Sequence, residues 1–356
     1  MKQFICHQSA LEYWRRRRKL PESSADRRYR VSLPNKPLEI ELQALPSGLS
    51  KPEPQTIPNK LSKPKPQTIP NKLSKHEPKG FQGLSSPVHI MIGAQEARRV
   101  SRGVKQHVFS SETPVGCFIN VGGGLMVSSP EFCFLQMAER LKLFRLIELG
   151  YELCGAYSIP VSGDQNVPER GFYNREPLTS INKLNAFLDG MPGAKGRQKA
   201  MRALRYMCDG SASPMETILA MFLTLPYNMG GFRFELPELN KRIVLTKTAR
   251  KYFNKEYYVC DLFWSNKKIA VEYDSDQQHT GSDRIASDSK RRNVLDSSGI
   301  RVVSVTKQQL YSGAELERAA RTIAKHMGRR LRIKESNFYA AHNELREQLL
   351  DQESFH

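Results

Sequence analysis

Asp261, Glu272 and Asp274 are the residues of this chain whose types and spacing best suit chemistry, within YYVCDLFWSNKKIAVEYDSDQQH from Tyr257 to His279. Tyr258, Cys260, Leu262 and Trp264 alternate with polar residues, and so do Ile269, Val271 and Tyr273. That pattern predicts two strands of a hairpin sharing one core face. A two-residue loop at Asn266-Lys267 pairs Trp264 with Ile269. Counting back then sets Asp261 opposite Glu272, with Asp274 two residues further on the same face, outside the core. Like charges opposed across a sheet destabilise it, so the arrangement calls for a cation. Oxygen donors alone select a hard divalent ion.

Several elements must position these acids. Ser213-Pro214-Met215-Glu216 reads as a helix start in which Glu216 reaches back to the backbone N–H of Ser213. The following TILAMFLTL is apolar on several sides, which predicts a buried helix. FRFELPELNKRIVLT reads as two short strands before the hairpin. SDRIASDSKRRNVLDSSG then reads as a helix closed at Gly299, and IRVVSVT as a strand buried on both faces. Ser312 to Glu315 starts a helix through about Met327, and a last helix runs from near Ser336 to Leu350.

In that order, Glu216, Asp261, Glu272-x-Asp274, His279, Asp288-x-x-Arg291, Leu295 and Gly299 resemble the PD-(D/E)XK nuclease superfamily. The resemblance is to the branch related to the very-short-patch mismatch repair endonuclease, and it covers residues 211 to 310. It implies an α/β, restriction-endonuclease-like fold, a mixed central sheet flanked by helices, preceded by a smaller α+β region. It also implies a metal-dependent DNA endonuclease in which Asp261, Glu272 and Asp274 hold Mg²⁺ or Mn²⁺, with Glu216 a ligand directly or through water. His279 is then either a group that positions water or the leaving oxygen, or a loop histidine bonded to backbone. Arg284, Lys290, Arg291 and Arg292 suit phosphate contacts, although Arg291 also stands three residues from Asp288. The family's Glu-x-Lys is Glu272-x-Asp274 here. Lys268 is either a substitute positive charge or a solvated turn residue.

The first half is less specific. FICHQSALEYWRRRRKLP reads as an amphipathic helix running into the basic cluster Arg15 to Lys19, a solvated face or a nucleic-acid patch. LSKPEPQTIPNK and LSKPKPQTIPNK repeat in tandem, and prolines at that density predict an extended tether. PVHIMIG, GVKQHVFS, VGCFINVG and GLMVSS read as strands, and Ser129-Pro130-Glu131 starts a helix ending at Gly150. GVKQH, the SPE helix start and CHQSALEYW resemble the C-terminal part of the AbiEi family of antitoxins and transcriptional repressors. That resemblance implies the alternative function, a DNA-binding regulator with a degenerate nuclease fold. His7 and His107 read as hydrogen-bonded structural residues. GAKGRQKAMRALRYM is basic on one face and apolar on the other, which packing against a neighbouring element explains.

The expected divisions are 1–48, a basic helical segment; 49–80, the repeat linker; 81–210, the AbiEi-like region; 211–335, the nuclease-like domain; and 336–356, a C-terminal helix. The 356 residues carry 55 Lys+Arg against 36 Asp+Glu, a net charge of +19, which points to a polyanion such as DNA. With no apolar run long enough for a membrane span or signal peptide, the expected location is the cytoplasm. A second copy of the chain or a toxin is a further candidate partner. The six cysteines include no C-x-x-C pair, so neither a zinc site nor a disulfide framework is expected.

Overall fold

The computed structural model describes residues 2–17, 33–34, 84–99, 102–110, 113–164, 167–245, 250, 256–274, 295–296 and 298–350. The repeats at 49–80, His279, Asp288, Arg284, Lys290, Arg291 and Arg292 lie outside these residues, as does most of the helix expected before Gly299.

The helix expected from Phe4 begins at His7 and runs to Arg16 (α1). The residues before it, Gln3–Ile5, form β1 at the centre of a five-stranded sheet ordered β3-β2-β1-β5-β4. Its other members are β2 (Val88–Ile92), β3 (Val104–Val108), β4 (Phe118–Gly122) and β5 (Leu125–Ser128). β1 lies antiparallel to β2 and parallel to β5, so long-range pairing makes a strand of three residues too few to show a period.

The Ser129 hydroxyl accepts from the Phe132 N–H and starts α2 (Pro130–Arg140), as the cap predicts. The single helix expected through Gly150 is two, because Leu141 is extended and α3 spans Leu143–Cys154. Gly150 sits inside α3, where a Cβ would stand 2.0 Å from the Met207 Cε. Glycine there marks close packing against Met207 and Phe134, not a helix end. A two-stranded antiparallel sheet follows, β6 (Tyr157–Ser158) and β7 (Tyr173–Asn174), then α4 (Ile181–Asp189) and α5 (Arg197–Leu204).

In the C-terminal part, α6 (Pro214–Thr224) is buried from Glu216 onward and packs against β9 (Tyr257–Trp264) and β10 (Ile269–Asp274). With β8 (Glu238–Val244) and β11 (Arg301–Thr306) these form a second mixed sheet ordered β11-β10-β9-β8, antiparallel except between β10 and β11. FRFELPELNKRIVLT supplies one strand rather than two. The N–H groups of Phe232, Arg233 and Phe234 instead donate to the carbonyls of Phe222, Leu225 and Leu223, satisfying the open end of α6. β11 is an edge strand, mostly half-buried, and not covered on both faces. α7 (Lys307–Tyr311), α8 (Gly313–His326) and α9 (Phe338–Leu350) complete a mixed α/β fold whose main core runs from Phe4 to Leu349.

Candidate active site

β9 and β10 pair Trp264 with Ile269, as expected, but the turn takes four residues, Ser265 to Lys268. The ladder continues to Leu262 opposite Val271, which sets Asp261 next to Glu272. There side chains replace ladder bonds. The Tyr273 N–H donates to the Asp261 carboxylate at 2.8 Å, and the Asp261 N–H to the Glu272 carboxylate. The core face also switches at this point. Leu262, Trp264, Ile269 and Val271 join the main core, whereas Cys260, Phe263 and Ala270 pack in a second cluster with Tyr258 against it. The acids are therefore not on a solvated face: Glu272 is 4% exposed and Glu216 9%.

Two residues outside the sequence expectation hold these acids. Asn240 interrupts the β8–β9 pairing opposite Asp261 with φ of 48°, a left-handed conformation that asparagine tolerates. Its amide donates to Glu216 at 2.7 Å and to the Gly210 carbonyl at 3.0 Å. The Tyr258 hydroxyl donates to Glu272 at 3.2 Å. A lone Asn in an otherwise alternating strand was the available signal. Glu216 closes the start of α6 through the Ala212 N–H and the Ser213 hydroxyl, rather than the Ser213 N–H.

Burial raises the pKa of all three acids. Repulsion by Glu216 adds to it for Asp261, and repulsion by Asp261 adds to it for Glu272. Among the described residues, the charge acting on Asp261 is thus another carboxylate. This donor set, all oxygen and mutually repelling, has the chemistry that suits a hard divalent cation, although oxygens of the three carboxylates do not all come within 4.8 Å of one another. Glu216 already accepts from three donors, which leaves Asp261 and Glu272 as the carboxylates that could ligate a metal directly. Asp274 ends β10, half-buried and paired with Thr306 of β11. Lys268 is exposed in the turn, four residues from Glu272 or roughly 13 Å along the strand, too far to serve as the missing lysine.

Of the basic cluster, Arg15 forms a bidentate pair with buried Glu152, at 2.8 Å for its shortest contact, and Arg16 meets Asp164 at 3.0 Å. Arg15 thus ties α1 to α3, and Arg16 ties it to the chain after α3.

A second group of donors comes together in the N-terminal part. Cys6, His7 and His107 place one ligand atom each within 4.8 Å of one another, the group of three with that property among the described residues. His7 stacks on His107 with ring centroids 3.7 Å apart, and His107 Nε2 lies 3.2 Å from His89 Nδ1. Burial lowers the pKa of His7 to about 2 and those of His89 and His107 to about 4.

Comparison with protein-family models, curated proteins and solved structures finds no match to this chain.

Proposed function

We propose that the chain is a metal-dependent endonuclease that hydrolyses phosphodiester bonds in DNA, on a restriction-endonuclease-like arrangement of α6, β9, β10 and β11. The observation that carries this reading is the meeting of two carboxylates, buried Glu272 and half-buried Asp261, across β9 and β10 beside Glu216. Keeping repelling acids out of water is costly unless a cation joins them. Asp261 and Glu272 hold Mg²⁺ or Mn²⁺, which when bound supplies an acidified water and neutralises charge on the scissile phosphate. The Tyr273 N–H and Tyr258 hydroxyl fix the two carboxylates, so little reorganisation is needed as the phosphate arrives. Asp274, at the end of the same strand, completes the acidic rim. The net charge of +19 supports a polyanionic substrate.

The test is cleavage of supercoiled plasmid and single-stranded DNA with Mg²⁺ or Mn²⁺, using Asp261→Ala as control. Metal-dependent nicking lost by at least about 100-fold in Asp261→Ala is expected. Cleavage that persists in chelator, or survives the substitution, overturns the reading.

Asp274 in place of the family's lysine favours a second reading, a non-catalytic DNA-binding regulator of the antitoxin type. It predicts salt-sensitive binding to DNA that survives loss of the acids, with no cleavage under any metal.

A further inference from the structure

Consecutive residues in an extended chain send their side chains to opposite sides, so Cys6 and His7 should diverge. They converge because His7 has φ of 50°, a left-handed conformation that costs a residue other than glycine of order 1 kcal/mol. The turn is held in place: the His7 N–H donates to Gln136 Oε1 at 2.8 Å, and the Cys133 thiol lies 3.7 Å from the His7 carbonyl. Yet His7 Nδ1 is buried with no hydrogen-bond partner among the described residues, in a side chain only 5% exposed. A buried imidazole nitrogen left bare costs about 1–3 kcal/mol, and a ligand is one way to satisfy it.

β3 brings the third donor. Its parallel register sets Met91 opposite His107 and His89 opposite Lys105, so His89 and His107 share one sheet face, the diagonal pair in contact at 3.2 Å. If His107 Nε2 carries the proton and donates to His89 Nδ1, Nδ1 of His107 presents its lone pair, the outer partner that ligating histidines commonly have. His7 and His107 also line a cavity of about 530 Å³, with Gln136, Glu139 and Lys195 among its polar walls.

From this geometry we infer that Cys6, His7 and His107 form a site for a late first-row divalent metal ion, Zn²⁺ foremost, with the cavity supplying a fourth, exchangeable ligand. One thiolate and two imidazoles match the donor preference of Zn²⁺ and reject Mg²⁺, which requires oxygen. Tetrahedral ligands at ~2.0–2.3 Å stand roughly 3.3–3.7 Å apart, a contraction from 4.8 Å that side-chain rotation can supply. On binding, the Cys6 S–H bond breaks, its proton goes to solvent and the sulfur lone pair enters the metal bond. This site is separate from the carboxylates and does not depend on their role.

The experiment uses the untagged full chain, stripped with 1,10-phenanthroline and titrated with Co²⁺ as the spectroscopic substitute for Zn²⁺. One Co²⁺ per chain is expected, with a near-ultraviolet thiolate charge-transfer band and tetrahedral visible bands that excess Mg²⁺ leaves unchanged and Zn²⁺ abolishes. Cys6→Ser should lose the charge-transfer band. His89→Ala should weaken binding by about 10-fold or more, and Asp261→Asn should keep the full spectrum. Failure of the wild-type chain to take up Co²⁺, a band that persists in Cys6→Ser, or its loss in Asp261→Asn would each overturn the assignment. The wild-type titration decides even where a variant fails to fold.

Discussion

Glu272 folds into surroundings that resist its charge: burial and the neighbouring Asp261 both favour its protonated form. Its folded pKa lies above the unfolded value of about 4.3, so the native state binds an extra proton between the two and stability falls as pH rises through that interval. Asp261, raised in the same direction, adds to the slope. The metal-free protein should therefore lose melting temperature from about pH 5 to about pH 8, and Mg²⁺ should restore more at the upper end, because it replaces protons the acids no longer hold. Glu272→Gln should flatten the slope, raise metal-free stability by roughly 1–2 kcal/mol at about pH 8, and abolish the Mg²⁺ shift. Calorimetry of both proteins checks this. A metal-free curve that rises over that range would refute the electrostatic account. Asp261 and its partner were legible as residues, since the strand alternation set their register. Their burial was not, because the face switch at Asp261 comes from the second cluster around Cys260 and Phe263, which no local pattern announces.

Among elements, α6 brings Glu216 to the candidate site, and its two ends are secured by different means. Ser213, Glu216 and Asn240 close the first turn, while the extended run from Phe232 to Phe234 takes up the last carbonyls. That run is possible because the chain reverses at Gly230, with φ of 82°, where a Cβ would stand 2.5 Å from the carbonyl oxygen of Ala341 in α9. Gly230→Ala combines a strained backbone with a clash against main chain, and should cost about 2–4 kcal/mol. Urea unfolding measures it, and a loss below about 0.5 kcal/mol would show that α9 yields easily. The helix starts at Ser129, Ser213 and Ser312 were readable, because a cap is a local bond between a hydroxyl and an N–H three residues on. Helix ends were readable only in part: α8 and α9 stop where expected, but the split between α2 and α3 was not announced.

For the molecule as a whole, a charge of +19 sets the terms of any encounter with DNA. Affinity should fall on the order of 10³-fold between about 50 and about 200 mM salt, and Asp261→Ala should leave that dependence unchanged while removing cleavage. Fluorescence anisotropy at several salt concentrations tests it. Binding indifferent to salt would contradict a phosphate-dominated interface. Arg15 and Arg16 are committed to Glu152 and Asp164, so the interface must draw mainly on other basic residues. No helix among the described residues is long and apolar enough to cross a membrane.

The sequence by itself determined the β9–β10 pairing, the helix caps, the buried character of α6 and the proximity of Asp261 to Glu272, all consequences of periodicity and bonds over a few residues. Tertiary structure alone decided that Gln3–Ile5 would be a central strand, that the acids would be enclosed, and that Cys6, His7 and His107 would meet. Each of these depends on residues far apart in the chain, or, at His7, on a backbone conformation that only surrounding packing can impose.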